Sequence, residues 1–187
     1  MSAVPFEARY RADADPWRTL SDPAERAKAA HVLAACGDGP FAAALELGCG
    51  IGALTADLAP RCASLLALDA APTAVAAARA RLARWPHARV TVATIPGELP
   101  DGEFDLVVAS EVLYYLPPAA LEVVIAWLPA ALVPGGRVVA VHWTGTAPDL
   151  ELSADAVHAA LCGVPGLAAR RAERGPSYLL GAFERVA

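Results

Sequence analysis

The sequence predicts an α/β fold, in which helices cover both faces of a doubly wound, mostly parallel sheet of seven strands with an antiparallel last strand. Two observations predict this fold. Short apolar runs alternate with helical patterns from residue 41 onward, and the first of these runs passes directly into a glycine-rich turn. The 187 residues fit one domain of ordinary size. Ligands of such sheets bind beyond the carboxyl ends of the strands, so functional residues are expected there.

Strands and helices alternate along most of the chain. Predicted strands occupy residues 42–47, 64–69, 89–94, 104–109 and 136–142, with a closing pair at 168–172 and 178–184. Predicted helices occupy residues 53–59, 73–84, 117–131 and 153–162, the last with Ser153 as its N-cap. In the third of these helices Leu121, Val124 and Leu128 recur on one face, which is the spacing of a helix that lies on a sheet.

A further helix is predicted ahead of this alternation. Asp22, Pro23 and Glu25 have the positions of an N-cap, a first and a third helical residue. This start signal predicts a helix that runs to Cys36, where a Gly- and Pro-containing stretch follows.

The first twenty residues are predicted to be irregular. They include Tyr10 and Trp17, an aromatic content unlike that of a disordered tail. We therefore predict a single domain over 1–187, in which the arm and helix of 1–36 form a cap on the ligand site.

Charge and hydropathy exclude several classes of protein. The 15 basic and 20 acidic residues give a net charge of −5, which argues against a nucleic-acid partner. The longest apolar stretch, 123–136, is too short to span a bilayer and contains two prolines. The N-terminus lacks the apolar core of a secretory signal, and the four cysteines show no metal or disulfide spacing. We expect a cytoplasmic protein without a metal site and without a membrane partner.

The glycine-rich turn is the strongest local signal. Residues 45–52 read L-E-L-G-C-G-I-G, and glycines there let the backbone turn sharply and approach a ligand closely. A dinucleotide fingerprint requires G-x-G-x-x-G, but Gly52 arrives one residue early and Ala53 stands in place of the third glycine. The spacing therefore disfavours a pyrophosphate site.

An acidic residue ends the next predicted strand. Asp69 follows the glycine turn by about twenty residues, where an acceptor for two ribose hydroxyls is expected. Asp69 could instead be the N-cap of the helix that begins near Pro72. Its spacing from the glycine turn favours a role in cofactor binding.

The E-x-G-x-G-x-G motif and Asp69 together resemble the first motifs of class I methyltransferases that depend on S-adenosyl-L-methionine (SAM). The resemblance implies a Rossmann-like fold, SAM as the cofactor and S-adenosyl-L-homocysteine (SAH) as its product. That family often carries an acidic or amide residue for adenine after the third strand, whereas this chain has Ile95 there. The implied cofactor-binding residues are Glu46, Gly48, Cys49, Gly50, Gly52, Asp69, Ala70, Ile95, Ser110, Tyr10 and Trp17.

The run F-D-L-V-V-A-S-E-V-L-Y-Y-L over 104–116 narrows the resemblance to the NodS type of nodulation protein. Segments 10–17 (Y-x-A-D-x-D-P-W), 142–145 (H-W-x-G) and 155–161 (D-x-V-H-x-x-L) also resemble that family. The resemblance implies N-methylation of a small-molecule amine, in that family an amino sugar at the non-reducing end of a chitin-type oligosaccharide. An O-methyltransferase of natural-product biosynthesis and a SAM-binding protein without turnover remain alternatives. The oligomeric state, monomer or homodimer, stays open.

Methyl transfer to an amine requires an uncharged acceptor, which calls for a base or a desolvating pocket. His142, at the end of the fifth strand, is the first candidate for this base, and Glu111, just past the fourth strand, is the second. Tyr115 is the third predicted catalytic residue, because an aromatic ring stabilises a cation at the methyl-transfer site. The predicted substrate contacts are Tyr114, Trp143 and His158.

Overall fold

The computed structural model describes residues 4–186 and confirms the seven-stranded sheet. The strands are β1 (Ala44–Leu47), β2 (Leu65–Asp69), β3 (Ala88–Val92), β4 (Phe104–Ser110), β5 (Leu132–Trp143), β6 (Leu167–Arg174) and β7 (Tyr178–Arg185). Their order across the sheet is β3-β2-β1-β4-β5-β7-β6. Strands β1 to β5 pair in parallel, whereas β7 is antiparallel to both of its neighbours. The antiparallel last strand was also predicted.

Helices cover both faces of the sheet. They are α1 (Val4–Ala12), α2 (Pro23–Cys36), α3 (Ala53–Leu58), α4 (Pro72–Arg81), α5 (Pro118–Ala131) and α6 (Ala154–Cys162). Apolar side chains of α2, α3 and α4 form one core cluster with the sheet, and those of α5 and α6 form another on the opposite face. Within residues 4–186 no helix has the length and apolar character needed to cross a membrane.

The pleat of the strands determines which face each side chain reaches, because successive residues point to opposite faces. In β5, Val139 and Val141 pack with α2, α3 and α4, whereas Val138 and Ala140 pack with α5 and α6. In β1, Ala44 packs with the α2 side. Side chains two residues further along therefore continue on the same faces, which places Glu46 and His142 on opposite sides of the sheet.

The N-terminal arm contains a helix, which corrects the prediction of an irregular segment. Helix α1 is followed by a loop that Asp15 organises: its carboxylate accepts hydrogen bonds from the amides of Thr19 and Leu20 at 2.9 and 3.0 Å. Helix α2 then begins as predicted, with the Asp22 side chain accepting from the Ala24 amide at 2.7 Å.

Candidate cofactor and acceptor site

A cavity of about 420 Å³ lies at the carboxyl ends of the parallel strands, beneath α1 and α2. This is where ligands of doubly wound sheets bind, and the volume suits a small-molecule site. Most of the residues predicted from the sequence line it. They are Tyr10, Trp17, Glu46, Gly48, Cys49, Gly50, Asp69, Ala70, Ile95, Ser110, Glu111, Tyr114, Tyr115 and Trp143.

The glycine turn forms the floor of this cavity and needs its glycines for two reasons. Gly48 and Gly50 have φ angles of 70° and 53°, in the left-handed region that favours glycine. A Cβ atom at Gly48 would lie 2.6 Å from the Val112 side chain, and one at Gly50 would lie 2.7 Å from the Tyr10 hydroxyl. The turn is therefore closely packed on both sides.

Gly52 was predicted to contact the cofactor, but the structure places it outside the cavity lining. It is the N-cap of α3, and a Cβ atom there would lie 2.9 Å from the Ala78 side chain on α4. The third glycine of the motif thus permits close packing of two helices.

Asp69 ends β2 and ties the glycine turn to the start of α4. Its two carboxylate oxygens accept hydrogen bonds from the Gly50 amide at 2.8 Å and the Ala71 amide at 2.9 Å. Burial raises the pKa of Asp69, although these two hydrogen bonds act in the opposite direction. The N-cap of α4 is Ala71, so Asp69 is not its cap. Each oxygen retains a lone pair with which it can accept a ligand hydroxyl.

Glu46 is the most deeply buried carboxyl group of the cavity lining. It is 2% exposed, and its Oε2 atom has no hydrogen-bond partner among the described residues. Burial raises the pKa of Glu46 to about 8, and the nearby Asp69 and Asp57 carboxylates add to this effect. An unpaired buried carboxyl oxygen at a cavity is suited to a ligand that donates hydrogen bonds or carries a positive charge.

Helix α1 crosses the cavity and is attached on two sides. The Glu7 carboxylate accepts hydrogen bonds from the Thr73 amide at 3.0 Å and the Thr73 hydroxyl at 2.7 Å, at the first turn of α4. On the opposite side Arg9 forms a 3.0 Å ion pair with Asp149, in the loop after β5. Helix α1 therefore bridges the β2 and β5 ends of the site.

Aromatic side chains of the arm close the space between these attachments. The Tyr10 and Trp17 rings lie 5.4 Å apart, and the Phe6 ring makes an edge contact with Tyr115 at 4.9 Å. Burial raises the pKa of both Tyr10 and Tyr115, so both phenols are neutral at physiological pH. The arm thus contributes an aromatic part of the cavity lining.

Glu111 lies directly after β4 in a left-handed backbone conformation, with a φ of 56°. Its Oε2 atom accepts hydrogen bonds from the Tyr114 hydroxyl at 2.5 Å and the Trp143 amide at 2.8 Å. Its Oε1 atom accepts from the Lys28 ammonium at 2.5 Å. Three donors from three elements therefore fix this carboxylate, which still reaches the cavity.

Tyr114, Tyr115 and Trp143 surround Glu111. The two tyrosine rings meet edge to face at 4.7 Å, and burial raises the pKa of both phenols. Trp143 is 38% exposed, which places it at the mouth of the cavity. These residues bring aromatic surface and one carboxylate to the same place, a combination suited to a cationic or amine group.

His142 does not reach this cavity, which corrects its predicted role as the base. Its side chain is fully buried on the α6 face, where Nε2 accepts a 3.3 Å hydrogen bond from the Leu113 amide. Its Nδ1 atom lies 3.1 Å from Nε2 of His158 on α6. Burial lowers the pKa of His142 well below its ordinary value, and both ring nitrogens already have partners.

His158 is likewise absent from the cavity lining, so its predicted contact with substrate does not fit the structure. It borders a separate depression beside the β6–β7 hairpin. Burial lowers its pKa as well. The two histidines form a neutral pair within the fold.

Lys28 is a site residue that the sequence analysis missed. It is the chain's one lysine, it is 8% exposed, and its ammonium group lies 2.9 Å from Glu25 as well as 2.5 Å from Glu111. A solitary lysine among fourteen arginines, within an alanine-rich helix, was the available signal. The contact between Lys28 on α2 and Glu111 after β4 depends on how the helix packs on the sheet, which the local sequence does not show.

Known proteins share both the sequence pattern and the fold. The family model of Nodulation protein S (NodS) matches residues 7–136. Nodulation protein S of Rhizobium tropici is 39% identical over 127 residues, which are 67% of this chain and 53% of that protein. The corresponding Sinorhizobium fredii protein is 37% identical over 133 residues, 70% of this chain and 62% of that protein. The chain thus spans only 53% to 62% of the length of these curated relatives.

Two solved structures are similar over most of the chain. The N-methyltransferase NodS from Bradyrhizobium japonicum, in complex with SAH, has a TM-score of 0.87 and 29% identity, with 99% of each chain covered. A putative methyltransferase from Pseudomonas syringae has a TM-score of 0.76 and 41% identity, with 87% of this chain and 99% of that chain covered. The strand order, the antiparallel β7 and these neighbours define the class I methyltransferase fold. Within that class, the chain belongs to the nodulation protein S (NodS) family.

Proposed function

We propose that the chain is a SAM-dependent methyltransferase that transfers a methyl group to the amine of a small molecule. One observation carries the proposal: a single cavity contains both the glycine turn with Asp69 and the Glu111–Tyr114 cluster. The first group suits the cofactor and the second suits an amine. The similarity to an N-methyltransferase that binds SAH supports both assignments.

The residues on the cofactor side fit SAM. The buried, unpaired Oε2 of Glu46 offers a partner for the ammonium group of its amino-acid part. Asp69, Ala70 and Ile95 line the cavity. In this proposal the Asp69 carboxylate accepts hydrogen bonds from the ribose hydroxyls, and Ala70 and Ile95 offer apolar contacts for adenine. Tyr10 and Trp17 of the arm cover this side, so residues 4–36 act as a cap; the first three residues of the predicted 1–36 segment lie outside the described residues.

When bound, SAM supplies an electrophilic methyl carbon: the acceptor nitrogen lone pair forms the new C–N bond, the C–S bond breaks, and its electron pair stays on sulfur. The protein needs no nucleophile of its own for this displacement. The aromatic arm excludes water, and Tyr115 presents an aromatic surface to the developing ammonium. The Glu111 carboxylate accepts a hydrogen bond from the acceptor amine and orients its lone pair, and the surplus proton leaves to solvent.

An amino sugar is the acceptor class that family membership favours. The open mouth beside Trp143 lets the amine end of a larger molecule enter while the rest stays outside. We also infer a cytoplasmic location, as expected from the sequence.

Release of SAH with matched acceptors tests the proposal. We expect release with glucosamine, which has a free amine, and none with N-acetylglucosamine. Asp69→Ala serves as the control, since it should abolish SAM binding in calorimetry and turnover together while the fold persists. Release only with phenols or carboxylic acids would assign O-methylation instead, and SAM binding without release from any acceptor would indicate a binding protein.

A further inference from the structure

Lys28 and Glu111 connect α2 to the acceptor side of the cavity. Lys28 lies in the second turn of α2, and its ammonium group is shared between Glu25 on the same helix and Glu111 after β4. Its side chain is only 10% exposed, whereas that of Glu111 is 23% exposed toward the cavity. Both side chains line the cavity, and two carboxylates hold the Lys28 ammonium group, so an acceptor would have to compete with both of them to displace it.

The charge of this cluster determines which form of an amine it binds. Glu25 and Glu111 without Lys28 would present two negative charges, and an amine bound beside them would be held in its protonated form. Protonated amines have no lone pair for methyl transfer. Lys28 reduces the pair of negative charges to one, and the positive charge of a bound sulfonium offsets the remainder.

We propose that Lys28 is a positioning residue for methyl transfer, which fixes the Glu111 carboxylate and cancels enough negative charge that the acceptor binds as the uncharged amine. This inference rests on the proposed function. The proposal explains why a charged side chain is almost entirely buried here. Tyr114 and Trp143 donate two hydrogen bonds to the Glu111 carboxylate, and the buried Lys28 donates the third.

Four ionisable groups near Lys28 and Glu111 are uncharged at neutral pH and do not alter the charge of this cluster. Burial raises the pKa of Tyr114 and Tyr115 and lowers that of His142 and His158, so all four are uncharged. Arg9 and Asp149 neutralise each other in an ion pair. Arg26 on α2 lines the same cavity, as do Asp15 after α1 and the carboxyl groups of Glu46, Asp57 and Asp69 on the cofactor side. His142 and His158 lie on the opposite face of the sheet, outside this lining.

The pH dependence of kcat/KM with glucosamine tests the charge effect. Lys28→Met should move the midpoint of the profile upward by about one pH unit, because the acceptor is then retained as the ammonium form. Lys28→Arg, which keeps the charge, should restore a midpoint close to that of the native enzyme. Arg170→Met removes a charge far from the cavity and should leave the profile unchanged. An unshifted midpoint in Lys28→Met, or equal shifts in Lys28→Met and Lys28→Arg, would overturn the proposal.

A second readout needs no acceptor. Because the chain has one lysine, protein labelled with ¹³C-lysine gives a single side-chain signal whose titration by NMR reports on Lys28. Glu111→Gln should lower the midpoint of this titration, since the carboxylate raises the pKa of Lys28, and Glu184→Gln should not. Equal midpoints in native protein and Glu111→Gln would disprove the pairing while the proposed function stands. Absence of turnover with every amine would disprove the proposed function, and the titration would still decide the pairing.

Discussion

Glu46 and His142 are two polar side chains that the sheet buries completely, and their burial has opposite consequences for pH. Burial raises the pKa of Glu46 to about 8 and lowers that of His142 well below its usual value. Glu46 therefore stays protonated at a pH at which an exposed carboxyl group is ionised, and His142 stays neutral at a pH at which an exposed imidazole is protonated. The stability of the protein without its cofactor is therefore reduced on both the alkaline and the acidic side.

Glu46→Gln tests the alkaline side. Between pH 4.5, the ordinary carboxyl value, and about 8, the folded protein holds a proton that the unfolded chain releases. The free energy of unfolding consequently falls as pH rises through this window. Because the variant lacks the ionisable group, its free energy of unfolding at about pH 8 should exceed that of the native protein by about 1 kcal/mol or more. Urea unfolding at several pH values measures this difference, with exposed Glu122→Gln as the control; a constant difference across pH would contradict the assignment.

His142→Ala tests the acidic side and the corrected role. The unfolded chain binds a proton near pH 6.5 and the folded protein does not, so stability is present above this pH and lost below it. The variant should lose about 2 kcal/mol at neutral pH, because the Leu113 amide loses its acceptor, and its acid sensitivity should be smaller. Thermal and urea unfolding measure both effects. A shift in the pH midpoint of turnover, with stability unchanged, would restore His142 as the base.

Local spacing predicted the site residues that stand at strand ends. The glycine turn follows β1 directly and Asp69 is the last residue of β2, and both line the cavity at the strand ends, where the sequence predicted a ligand. His142 was also placed correctly along β5, but the pleat turns its side chain to the opposite face. Lys28 was missed because its contact with Glu111 joins residues 83 positions apart, which no local pattern encodes.

At the scale of elements, α1 owes its conformation to tertiary contacts. Its nine residues lack an apolar stripe, and isolated helices of this length are marginal in water. The i,i+4 pair of Glu7 and Arg11 is a weak local signal on its own, and the prediction of an irregular segment was wrong. Glu7 on one side and Arg9 on the other attach the helix to α4 and to the loop after β5. These two attachments add to the aromatic contacts of Phe6 and Tyr10, and the helix should loosen when one of them is lost.

Glu7→Ala tests the cap. The variant removes both hydrogen bonds to Thr73 and the i,i+4 ion pair with Arg11, so trypsin should cleave after Arg9 and Arg11 several-fold faster than in the native protein. In the native protein, SAH should slow this cleavage, since the arm covers the cofactor. Glu122→Ala, on the far face, provides a control for general destabilisation. Cleavage of the native arm at the same rate with and without SAH would contradict a cap over the cofactor.

At the scale of the whole molecule, the sheet brings distant segments to one edge. The ends of β1, β2, β4 and β5 contribute the glycine turn, Asp69, Glu111 and Trp143 to the same cavity. The alternation of short apolar runs with helical patterns along the sequence predicted the seven strands, because buried parallel strands are short and continuously apolar. The alternation does not encode the strand order, since pairing between β1 and β4 depends on contacts across some sixty residues.

The most direct test of the central claim is to locate the transferred methyl group. Incubation of the protein with SAM carrying a ¹³C-methyl group and with glucosamine, followed by NMR of the product, distinguishes an N-methyl from an O-methyl carbon. We predict an N-methyl signal with glucosamine and no transfer to N-acetylglucosamine. An O-methyl product, or equal transfer to the acetylated sugar, would contradict methylation of the amine.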